Sequence, residues 1–341
     1  MQSYDVIIVG AGPAGLNCAN HLKDSGKSIL LIDKKEIIGP KICAGGLTAK
    51  DIVYFNIPEN LIDHKFNQFS LKTSSGKNIL KFSKHFVNTI DRKNFGQWQL
   101  SKLKNSNIEI KTNTNVTKID KNYIEIDNKK KIKYKYLVGA DGSSSLTRRY
   151  LGISTKKLAV CIQYIIPTDK YKDLEIFFDS KLFHAWYAWI FPHQGYVSIG
   201  TGCNPKYVTV KQLKENFHKW LKEKNIDYSK GEYQAHPINY DYQGFYFKNI
   251  FLIGEAAGFT SGLTGEGIYP ALISGEEVAK KILNNNHNCD KINKFLKNKK
   301  IQEFTLKIFE ISGPFKNFEF NLMNLILTNK KLRKKLGNIY A

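Results

Sequence analysis

Three glycines near the start of the chain have the spacing of a nucleotide phosphate site. Gly10, Gly12 and Gly15 follow an unbroken apolar run, Val6 to Val9. Such a run is typical of a strand that is buried on both faces of a parallel sheet. Gly10 allows a sharp turn, Gly12 has no side chain to keep a pyrophosphate from the backbone, and Gly15 lets the next helix approach the strand. The N–H groups that begin this helix can bind phosphate.

A second apolar strand ends at Asp33, 18 residues after Gly15. A carboxylate at this distance can accept hydrogen bonds from ribose hydroxyl groups. The alternative is an ordinary glycine-rich turn between a strand and a helix. The strand before the glycines, the helix after them and the well-spaced acid together favour an adenine-dinucleotide site.

The whole chain must supply the elements that position this site. Its 341 residues, 42% of them hydrophobic, suffice for one large domain or two intertwined domains. No apolar run approaches the ~20 residues of a membrane-spanning helix. The N-terminal apolar stretch lacks the basic flank and cleavage site of a signal peptide, so we expect a cytoplasmic protein. Five scattered cysteines without a C-x-x-C pair predict neither disulfides nor a metal site.

The net charge of +22 raises the question of an anionic partner. A basic chain attracts nucleic acid or an acidic membrane surface. Lysine and asparagine are abundant throughout, which indicates a compositional bias, and no nucleic-acid motif with interleaved aromatic residues is present. We therefore expect no nucleic-acid partner and a weak attraction to acidic lipid head groups.

Hydrophobic alternation predicts a second sheet over 66–87 and over 156–245, with one helix at 210–224. Asp91 is a predicted N-cap that begins another helix. A meander of short strands is predicted after it, at 108–111, 115–119, 123–126 and 131–134. A helix ending near Leu283 and a basic helical tail complete the pattern.

Two later segments carry further glycines and acids: Gly139-Ala-Asp-Gly142 and Gly254-Glu-Ala-Ala-Gly258. Together with the N-terminal glycines, they make the chain resemble FAD-dependent oxidoreductases of the p-hydroxybenzoate hydroxylase fold. The resemblance implies that Glu255 stands where that family usually has an aspartate beside the ribityl chain and pyrophosphate. It also implies that Arg92 lies near the same groups.

Within that fold, the chain is similar to the geranylgeranyl reductase family, whose members saturate isoprenoid double bonds with reduced FAD. Three segments carry this similarity: Lys41-Ile-Cys-Ala-Gly-Gly46, Tyr187-Ala-Trp-Ile-Phe-Pro192 and Leu263-Thr-Gly-Glu-Gly-Ile268.

The resemblance implies an α/β (α+β) architecture. A Rossmann-like FAD-binding domain is interleaved with an antiparallel-sheet substrate domain, and a helical tail follows. The expected boundaries are 1–62, 90–155 and 246–285 for FAD binding, 63–89 and 156–245 for the substrate, and 286–341 for the tail.

The resemblance also implies a set of site residues. Those expected at the cofactor are Gly10, Gly12, Pro13, Ala14, Gly15, Asp33, Lys34, Cys43, Ala44, Gly45, Arg92, Val116, Asp141, Gly142, Gly254, Glu255, Gly265, Gly267 and Ile268. Those expected to act in catalysis are Cys43, Gly265 and Gly267. Those expected at the substrate are Tyr187, Trp189, Phe191 and Pro192.

Reducing an isolated C=C bond requires a hydride on one carbon and a proton on the other. Flavin N5 supplies the hydride. The N–H groups at Gly265 to Gly267 begin a helix and can stabilise the negative charge of reduced flavin. The alternative is a helix entry that requires glycines for its backbone alone.

The aromatic segment and one cysteine each have two interpretations. In a strand over 185–191, Tyr187, Trp189 and Phe191 share one face and can line a prenyl-sized groove, or they can be core residues. The Cys43 thiol can lend a proton or position the alkene, or it can be a small buried hydrophobe. His184 and His193 are candidate proton donors or strand-end and surface histidines, and the other cysteines are expected to be structural.

Several functions remain open at this stage. No second G-x-G-x-x-G is present, so the electron donor is NAD(P)H, ferredoxin or a deazaflavin. The alternatives to an isoprenoid reductase are a flavin monooxygenase or halogenase, a quinone-linked reductase, and a non-catalytic prenyl-binding protein like the Rab GDP-dissociation inhibitors. The intact glycines argue against the last. We expect an isoprenoid lipid substrate, a monomer or weak oligomer, and peripheral contact of the basic tail with the inner membrane face.

Overall fold

A computed structural model describes residues 1–83, 85–127, 129–329, 331 and 333. The strands of this part are β1 (Ser3–Val9), β2 (Ile29–Ile32), β3 (Gly46–Thr48), β4 (Ile62–Phe66), β5 (Gln68–Thr73), β6 (Gly76–Lys81), β7 (Val87–Ile90), β8 (Ile108–Lys111), β9 (Val116–Ile119), β10 (Tyr123–Ile126), β11 (Lys130–Gly139), β12 (Leu158–Pro167), β13 (Glu175–Phe178), β14 (Tyr187–Pro192), β15 (Tyr196–Cys203), β16 (Glu232–Asn239), β17 (Tyr246–Phe247) and β18 (Ile250–Leu252). The helices are α1 (Pro13–Leu22), α2 (Ala49–Phe55), α3 (Arg92–Ser101), α4 (Leu146–Tyr150), α5 (Ser180–Phe183), α6 (Val210–Glu223), α7 (Ile268–Leu283), α8 (Asp290–Ile311) and α9 (Lys316–Thr328).

The first sheet has the order β17-β18-β11-β1-β2-β8, and its strands from β18 to β8 are parallel. The apolar runs of β1 and β2 are buried on both faces, as the sequence predicts. The prediction that 108–111 belongs to a meander is wrong, because β8 pairs in parallel with β2. Only β9, β10 and β11 pair in the antiparallel way expected of that meander.

The second sheet has the order β16-β12-β15-β14-β13-β5-β6 and is antiparallel except between β13 and β5. Helix α6 covers it with an apolar stripe of Leu213, Phe217, Trp220 and Leu221. The expected assignment of all of 66–87 to this sheet is wrong at both ends. Phe66 lies in β4 and Val87 in β7, and these two strands pair with each other in a separate three-stranded sheet of order β3-β7-β4.

Helix α1 lies unusually close to both β1 and α7. A Cβ atom on Gly15 would be 1.9 Å from the carbonyl oxygen of Gly10, and one on Gly275 would be 2.4 Å from that of Ala14. Buried side chains such as Leu16 and Val278 fill the space around these contacts. Glycine is therefore required at both positions by the helix packing itself.

The tail is helical, as predicted, and α8 and α9 fold back on the second sheet. Leu306, Phe309 and Phe320 pack with Trp186 and Tyr240 in one buried cluster. Helix α9 also contacts the β5–β6 hairpin, where the Asn78 amide donates to the Asn324 side-chain oxygen over 3.0 Å. Among the described residues, we find no helix with the length and apolar character needed to span a bilayer.

We expect Gly275→Ala to lower the free energy of unfolding. Alanine has the better helix propensity, but the added methyl group would push α7 away from α1, and such overpacking costs about 1–3 kcal/mol. Denaturant unfolding measures the change. Leu283→Ala, at an exposed position of the same helix, is the control and should alter stability much less. A Gly275→Ala protein as stable as the parent would contradict the packing argument.

Candidate functional site

One cavity of about 1350 Å³ runs between the two large sheets. Typical small-molecule pockets measure roughly 300–1,000 Å³, so this one has room for more than one ligand. The phosphate-binding loop after β1, the loop around Cys43, the aromatic strand β14, the loop before α7 and helices α8 and α9 all line it. The cavity therefore collects segments from nearly the whole length of the chain.

The turn between β1 and α1 forms the expected phosphate cradle. Gly12 is the N-cap of α1 and has no side chain to cap the helix, and a Cβ atom there would meet nothing within 4 Å. Gly10 has φ +105°, and its added Cβ would be 2.3 Å from the carbonyl oxygen of Ala140. Open N–H groups at a helix start favour an anion.

Arg92 supplies positive charge in the same cavity. Its side chain lines the cavity and is buried, and its Nε atom has no hydrogen-bond partner. A buried guanidinium with an unused donor indicates a ligand oxygen nearby. The open space at Gly12 and the unpaired donor of Arg92 both fit the pyrophosphate of FAD.

The two predicted aspartates also line the cavity, but they are partly engaged by the protein. Asp33 Oδ2 accepts from the Ala11 N–H over 2.6 Å, so it holds the phosphate loop in place. Asp141 accepts from the Ser145 hydroxyl over 2.5 Å and from the Thr147 N–H over 3.0 Å. Asp141 Oδ2 also accepts from the Thr147 hydroxyl over 3.1 Å, so Oδ1 is the Asp141 oxygen with a lone pair left. Each Asp33 oxygen, in contrast, accepts one protein hydrogen bond and keeps acceptor capacity for a ribose hydroxyl.

Glu255 is part of an ion-pair cluster that the sequence did not reveal. Lys41 Nζ donates to its carboxylate, and His236 Nε2 lies 4.0 Å from the same oxygen. Burial acts to raise the pKa of the Glu255 carboxyl, but Lys41 and His236 outweigh burial and lower this pKa to about 2. The acid is therefore ionised, and the Lys41 ammonium orients it on the cavity wall.

The aromatic segment forms a strand, and its alternate residues face the cavity. Tyr187, Trp189 and Phe191 line the cavity, while Ala188 and Ile190 point into the core of the second sheet. Their alternation confirms the shared face that the sequence predicts for a strand.

Two hydrogen bonds fix the orientation of these rings. Trp189 Nε1 donates to Ser198 Oγ over 3.0 Å, and the Tyr187 hydroxyl donates to the Thr264 carbonyl over 2.6 Å. The second bond ties β14 to the loop that contains Gly265 and Gly267. A Cβ atom on Gly200 would be 2.3 Å from the Trp189 ring, so the neighbouring strand leaves space for the indole only because it has glycine there.

Cys43 lies at the cavity surface and is partly exposed. Its sulfur accepts from the Gly45 N–H over 3.4 Å. Cys161, which we expected to be purely structural, also lines the cavity, and burial raises the pKa of its thiol. Both cysteines are partly exposed residues of the cavity wall.

Three predicted site residues lie behind the cavity wall and do not line it. Gly15 packs against β1, Gly45 has φ +74° against the ring of His193, and the Pro192 carbonyl accepts from the Thr89 hydroxyl over 2.7 Å. The other predicted cofactor, catalytic and substrate residues all line the cavity.

The two candidate histidines also lie outside the cavity lining. His193 is buried, and its ring nitrogens are 2.7 Å from Asp63 Oδ2 and 2.9 Å from the Ala44 carbonyl oxygen. His184 stacks on Tyr207. Of the described histidines, His236 is the one that lines the cavity.

A buried pair of carboxyl groups borders the cavity near the start of α7. Glu266 Oε1 and Asp51 Oδ1 have no hydrogen-bond partner. Burial, together with the charge of Asp51, raises the pKa of the Glu266 carboxyl above its usual range, and burial does the same at Asp51. Thr48 donates to Asp51 Oδ2 over 2.7 Å from its N–H, which leaves Glu266 as the less stabilised acid.

Sequence reasoning missed the residues that reach the cavity from distant segments. Phe69, Phe82 and Phe86 stack on one another at one end of the cavity, with ring centroids 4.1–6.0 Å apart. Their strands alternate as predicted, but alternation does not say which face meets a ligand. No sequence pattern around His236 indicates a site residue. Lys41, in contrast, belongs to the Lys41–Gly46 segment that carries the family resemblance.

One group of potential metal ligands, Glu277, His287 and Cys289, occurs among the described residues. It lies outside the cavity lining. His287 Nε2 is 3.2 Å from Glu277 Oε1, and Lys280 Nζ is 3.9 Å from the same oxygen. The Glu277 carboxylate of this group thus already contacts His287 and Lys280.

Comparisons with known proteins agree with this geometry. Residues 4–172 match the family described as pyridine nucleotide-disulphide oxidoreductase. An uncharacterised protein of Methanosarcina barkeri is 33% identical over 303 residues, which is 83% of this chain and 75% of that protein. A digeranylgeranylglycerophospholipid reductase of Methanosphaera stadtmanae is 26% identical over 338 residues, 91% of this chain and 83% of its own.

Among solved structures, a geranylgeranyl bacteriochlorophyll reductase-like protein of Thermoplasma acidophilum has the same fold. The TM-score is 0.84 at 18% identity, with 100% of this chain and 97% of that chain covered. The expected α/β (α+β) fold with a C-terminal helical tail is confirmed.

The Glu266–Asp51 pair predicts a pH dependence of stability. A carboxyl in the unfolded chain titrates near pH ~4.3, whereas folded Glu266 keeps its proton to higher pH, so stability falls as the pH rises between these values. Glu266→Gln removes this proton difference. Between pH 5 and pH 9, we expect the melting temperature of Glu266→Gln to fall less than that of the parent. The corresponding difference in the loss of unfolding free energy is ~1.4 kcal/mol or more.

Glu59→Gln is the control, because the Glu59 side chain is 78% exposed. It should leave the pH dependence of melting as in the parent protein. Parallel curves for Glu266→Gln and the parent would show that Glu266 is ionised in the folded protein.

Proposed function

Because the chain belongs to the geranylgeranyl reductase family of FAD-dependent oxidoreductases, we propose that it saturates carbon–carbon double bonds of isoprenoid lipids. The observation that supports this most is one cavity with a dinucleotide cradle at one side and a wall of oriented aromatic rings at another. An apolar chain and a flavin can share such a cavity, whereas a polar substrate would leave the aromatic wall without a role.

FAD is the cofactor, and the residues of the cradle hold it. The N–H groups at the start of α1 and the Arg92 guanidinium would bind the pyrophosphate, and Asp33 and Glu255, which line the same cavity, would accept hydrogen bonds from the hydroxyl groups of the cofactor. We assign the FAD-binding domain to 1–62, 90–155 and 246–285, and the substrate domain to 63–89 and 156–245. Bound and reduced FAD supplies the hydride from N5.

The aromatic wall orients the isoprenoid chain and excludes water from it. Trp189 cannot turn freely because Ser198 and the glycine at position 200 fix its ring. A rigid apolar wall lowers the entropy cost of holding a flexible chain in one pose. Tyr187 couples this wall to the loop before α7 through Thr264.

The proton for the second carbon comes from Cys43 in this proposal. Its thiol is partly exposed in the cavity, and no acidic side chain of the described residues donates to or accepts from its sulfur. His193 is unsuited to the role because both of its ring nitrogens contact protein oxygens. The Gly267 N–H, at the start of α7, would stabilise negative charge on a bound ring system, whereas the Gly265 N–H already donates to the Ser261 carbonyl over 3.0 Å.

The electrons come from an external donor, for which NAD(P)H, ferredoxin and a deazaflavin are the candidates. We also propose that the protein works as a monomer or weak oligomer in peripheral contact with the inner membrane face. The sequence predicts this contact for the basic tail, 286–341, whose cationic end, 330–335, lies largely outside the described residues.

A flavin monooxygenase or halogenase reaction is the second candidate, because such enzymes share the fold. It requires an aromatic substrate held close to the flavin in the presence of oxygen. The volume of the cavity, about 1350 Å³, and the apolar rings of Phe69, Phe82 and Phe86 in its lining favour an extended chain instead.

Gly12→Val should abolish FAD binding without unfolding the protein. Nothing lies within 4 Å of the added Cβ, so the side chain projects into the space proposed for the pyrophosphate. Absorbance of the purified protein near 450 nm and its melting temperature measure the two effects. Gly15→Val is the contrasting variant and should unfold the protein, since its Cβ would overlap the Gly10 carbonyl. Full flavin content in Gly12→Val would contradict the assigned cradle.

Anaerobic turnover tests the reaction itself. The flavin is reduced chemically, geranylgeranyl diphosphate or a geranylgeranyl phospholipid is added, and mass spectra are recorded. We expect a gain of two hydrogens for each reduced bond. Trp189→Ala and Cys43→Ala should lower the rate by roughly 10²-fold or more, the usual scale for lost positioning or proton transfer.

Two controls separate these roles. Cys18→Ala removes a buried thiol away from the cavity and should leave the rate within a few-fold of the parent. In deuterated water, each reduced bond should gain two deuterium atoms, because the N5–H of a chemically reduced flavin exchanges with solvent as the thiol proton does. A reducible bound flavin with no mass gain, but with oxygen-dependent hydroxylation of aromatic compounds, would favour the second candidate.

A further inference from the structure

The C-terminal helices expose large apolar side chains to solvent. Of the 18 large hydrophobic residues exposed in the described part of the chain, eight lie between 301 and 325. Phe304, Phe315, Phe318 and Leu325 are each 65–69% exposed. Single exposed hydrophobic residues are ordinary, but a contiguous group marks an interaction site.

Helix α8 is apolar on two opposite faces. Phe295, Leu306 and Phe309 face the protein and are buried. Ile301, Phe304, Ile308 and Ile311 are spaced by three or four residues, so they form one stripe along the outer face, where all four are exposed. A helix that only covered a core would have polar residues at these outer positions.

Helix α9 repeats this arrangement. Phe320 is buried, whereas Phe318, Leu322 and Leu325 are exposed at a spacing of four and three residues. Phe315 lies in the turn that joins the two helices and is exposed as well. We call the eight exposed residues the outer apolar face: Ile301, Phe304, Ile308, Ile311, Phe315, Phe318, Leu322 and Leu325.

The outer apolar face is continuous with the cavity. Ile308 and Leu322 belong to both, since each is exposed and each lines the cavity. Met323, Ile326 and Leu327 extend the lining from α9 inwards. An apolar molecule could therefore pass from the outer apolar face into the cavity along the side chains of Ile308, Leu322 and Met323.

Positive charge accompanies this face. Lys294, Lys297, Lys300 and Lys307 are exposed on α8. The acidic residues of the same helices are largely engaged: Glu303 binds Lys157 and Lys299, and Glu319 accepts from the Ser312 hydroxyl over 2.7 Å. Apolar side chains flanked by free lysines fit a surface of anionic lipid head groups over acyl chains.

We propose that the outer apolar face inserts into the surface of an anionic phospholipid bilayer, and that it forms the entrance by which a lipid reaches the cavity. The side chains of the face lie among the acyl chains, and the lysines of α8 contact the head groups. Membrane binding follows from the exposed residues alone, while the entrance role rests on the proposed function. The outer apolar face lies within the tail, 286–341, for which the sequence predicts the membrane contact.

Binding is measured by flotation with vesicles of phosphatidylcholine and phosphatidylglycerol. Phe304→Ser/Phe318→Ser removes two aromatic rings that do not line the cavity, and we expect roughly tenfold weaker binding or more, given the apolar area lost. Val210→Ser/Leu283→Ser, at exposed positions elsewhere, is the matched control and should bind like the parent. Binding should also weaken with salt and in vesicles of phosphatidylcholine alone.

Flavin content and melting temperature verify that both double variants are folded. The same geranylgeranyl phospholipid is then supplied in detergent micelles or in vesicles. In micelles, we expect Phe304→Ser/Phe318→Ser to reduce the double bonds of this phospholipid at the parent rate. In vesicles, its rate should be at least roughly tenfold lower than that of the parent, in line with the loss of binding. Equal binding of parent and variant to vesicles, or equal rates in vesicles, would overturn the proposal.

Two other outcomes separate the membrane contact from a dimer contact and from the proposed reaction. If the parent does not bind vesicles but forms a dimer that the double variant lacks, as measured by light scattering, the face is a contact between copies and the proposal is wrong. If vesicle binding depends on the two phenylalanines but no lipid is reduced in either medium, the membrane face stands and the proposed reaction fails.

Discussion

Close packing of α1 against β1 and α7 is the constraint on which the site depends. Glycines at positions 10, 15 and 275 allow backbone atoms to meet where side chains would collide. This contact places the start of α1 at the cavity and holds α7 beside α1. The N-termini of both helices therefore line the cavity. One set of backbone contacts thus positions the phosphate cradle and the loop of Gly265 and Gly267 together.

Polar contacts join the second sheet to that framework. The Tyr187 hydroxyl donates to the Thr264 carbonyl over 2.6 Å, and the Asn239 amide donates to the Glu255 carbonyl over 3.0 Å. Each bond links a residue of the second sheet to a residue of the FAD-binding segments. Such bonds favour one relative placement of the aromatic wall and the cofactor cradle.

Features encoded locally were predictable from the sequence, and features built from distant segments were not. The glycine turn, the strand of Tyr187, Trp189 and Phe191, and the helices α6 and α7 lie where local patterns put them. The partner of β8 was mispredicted because a four-residue alternation does not specify which strand it joins. Lys41 and Glu255 are 214 positions apart, and no sequence pattern reports such a pairing.

The last wall of the cavity is made by the last helices of the described chain. The phosphate cradle uses residues near the start, whereas Ile308, Leu322 and Ile326 close the apolar end. During synthesis on the ribosome, N-terminal segments emerge and begin to fold first. In the nascent protein, the aromatic residues of the cavity are consequently exposed to solvent until α8 and α9 have emerged. During this interval, a chaperone or the bilayer can cover them.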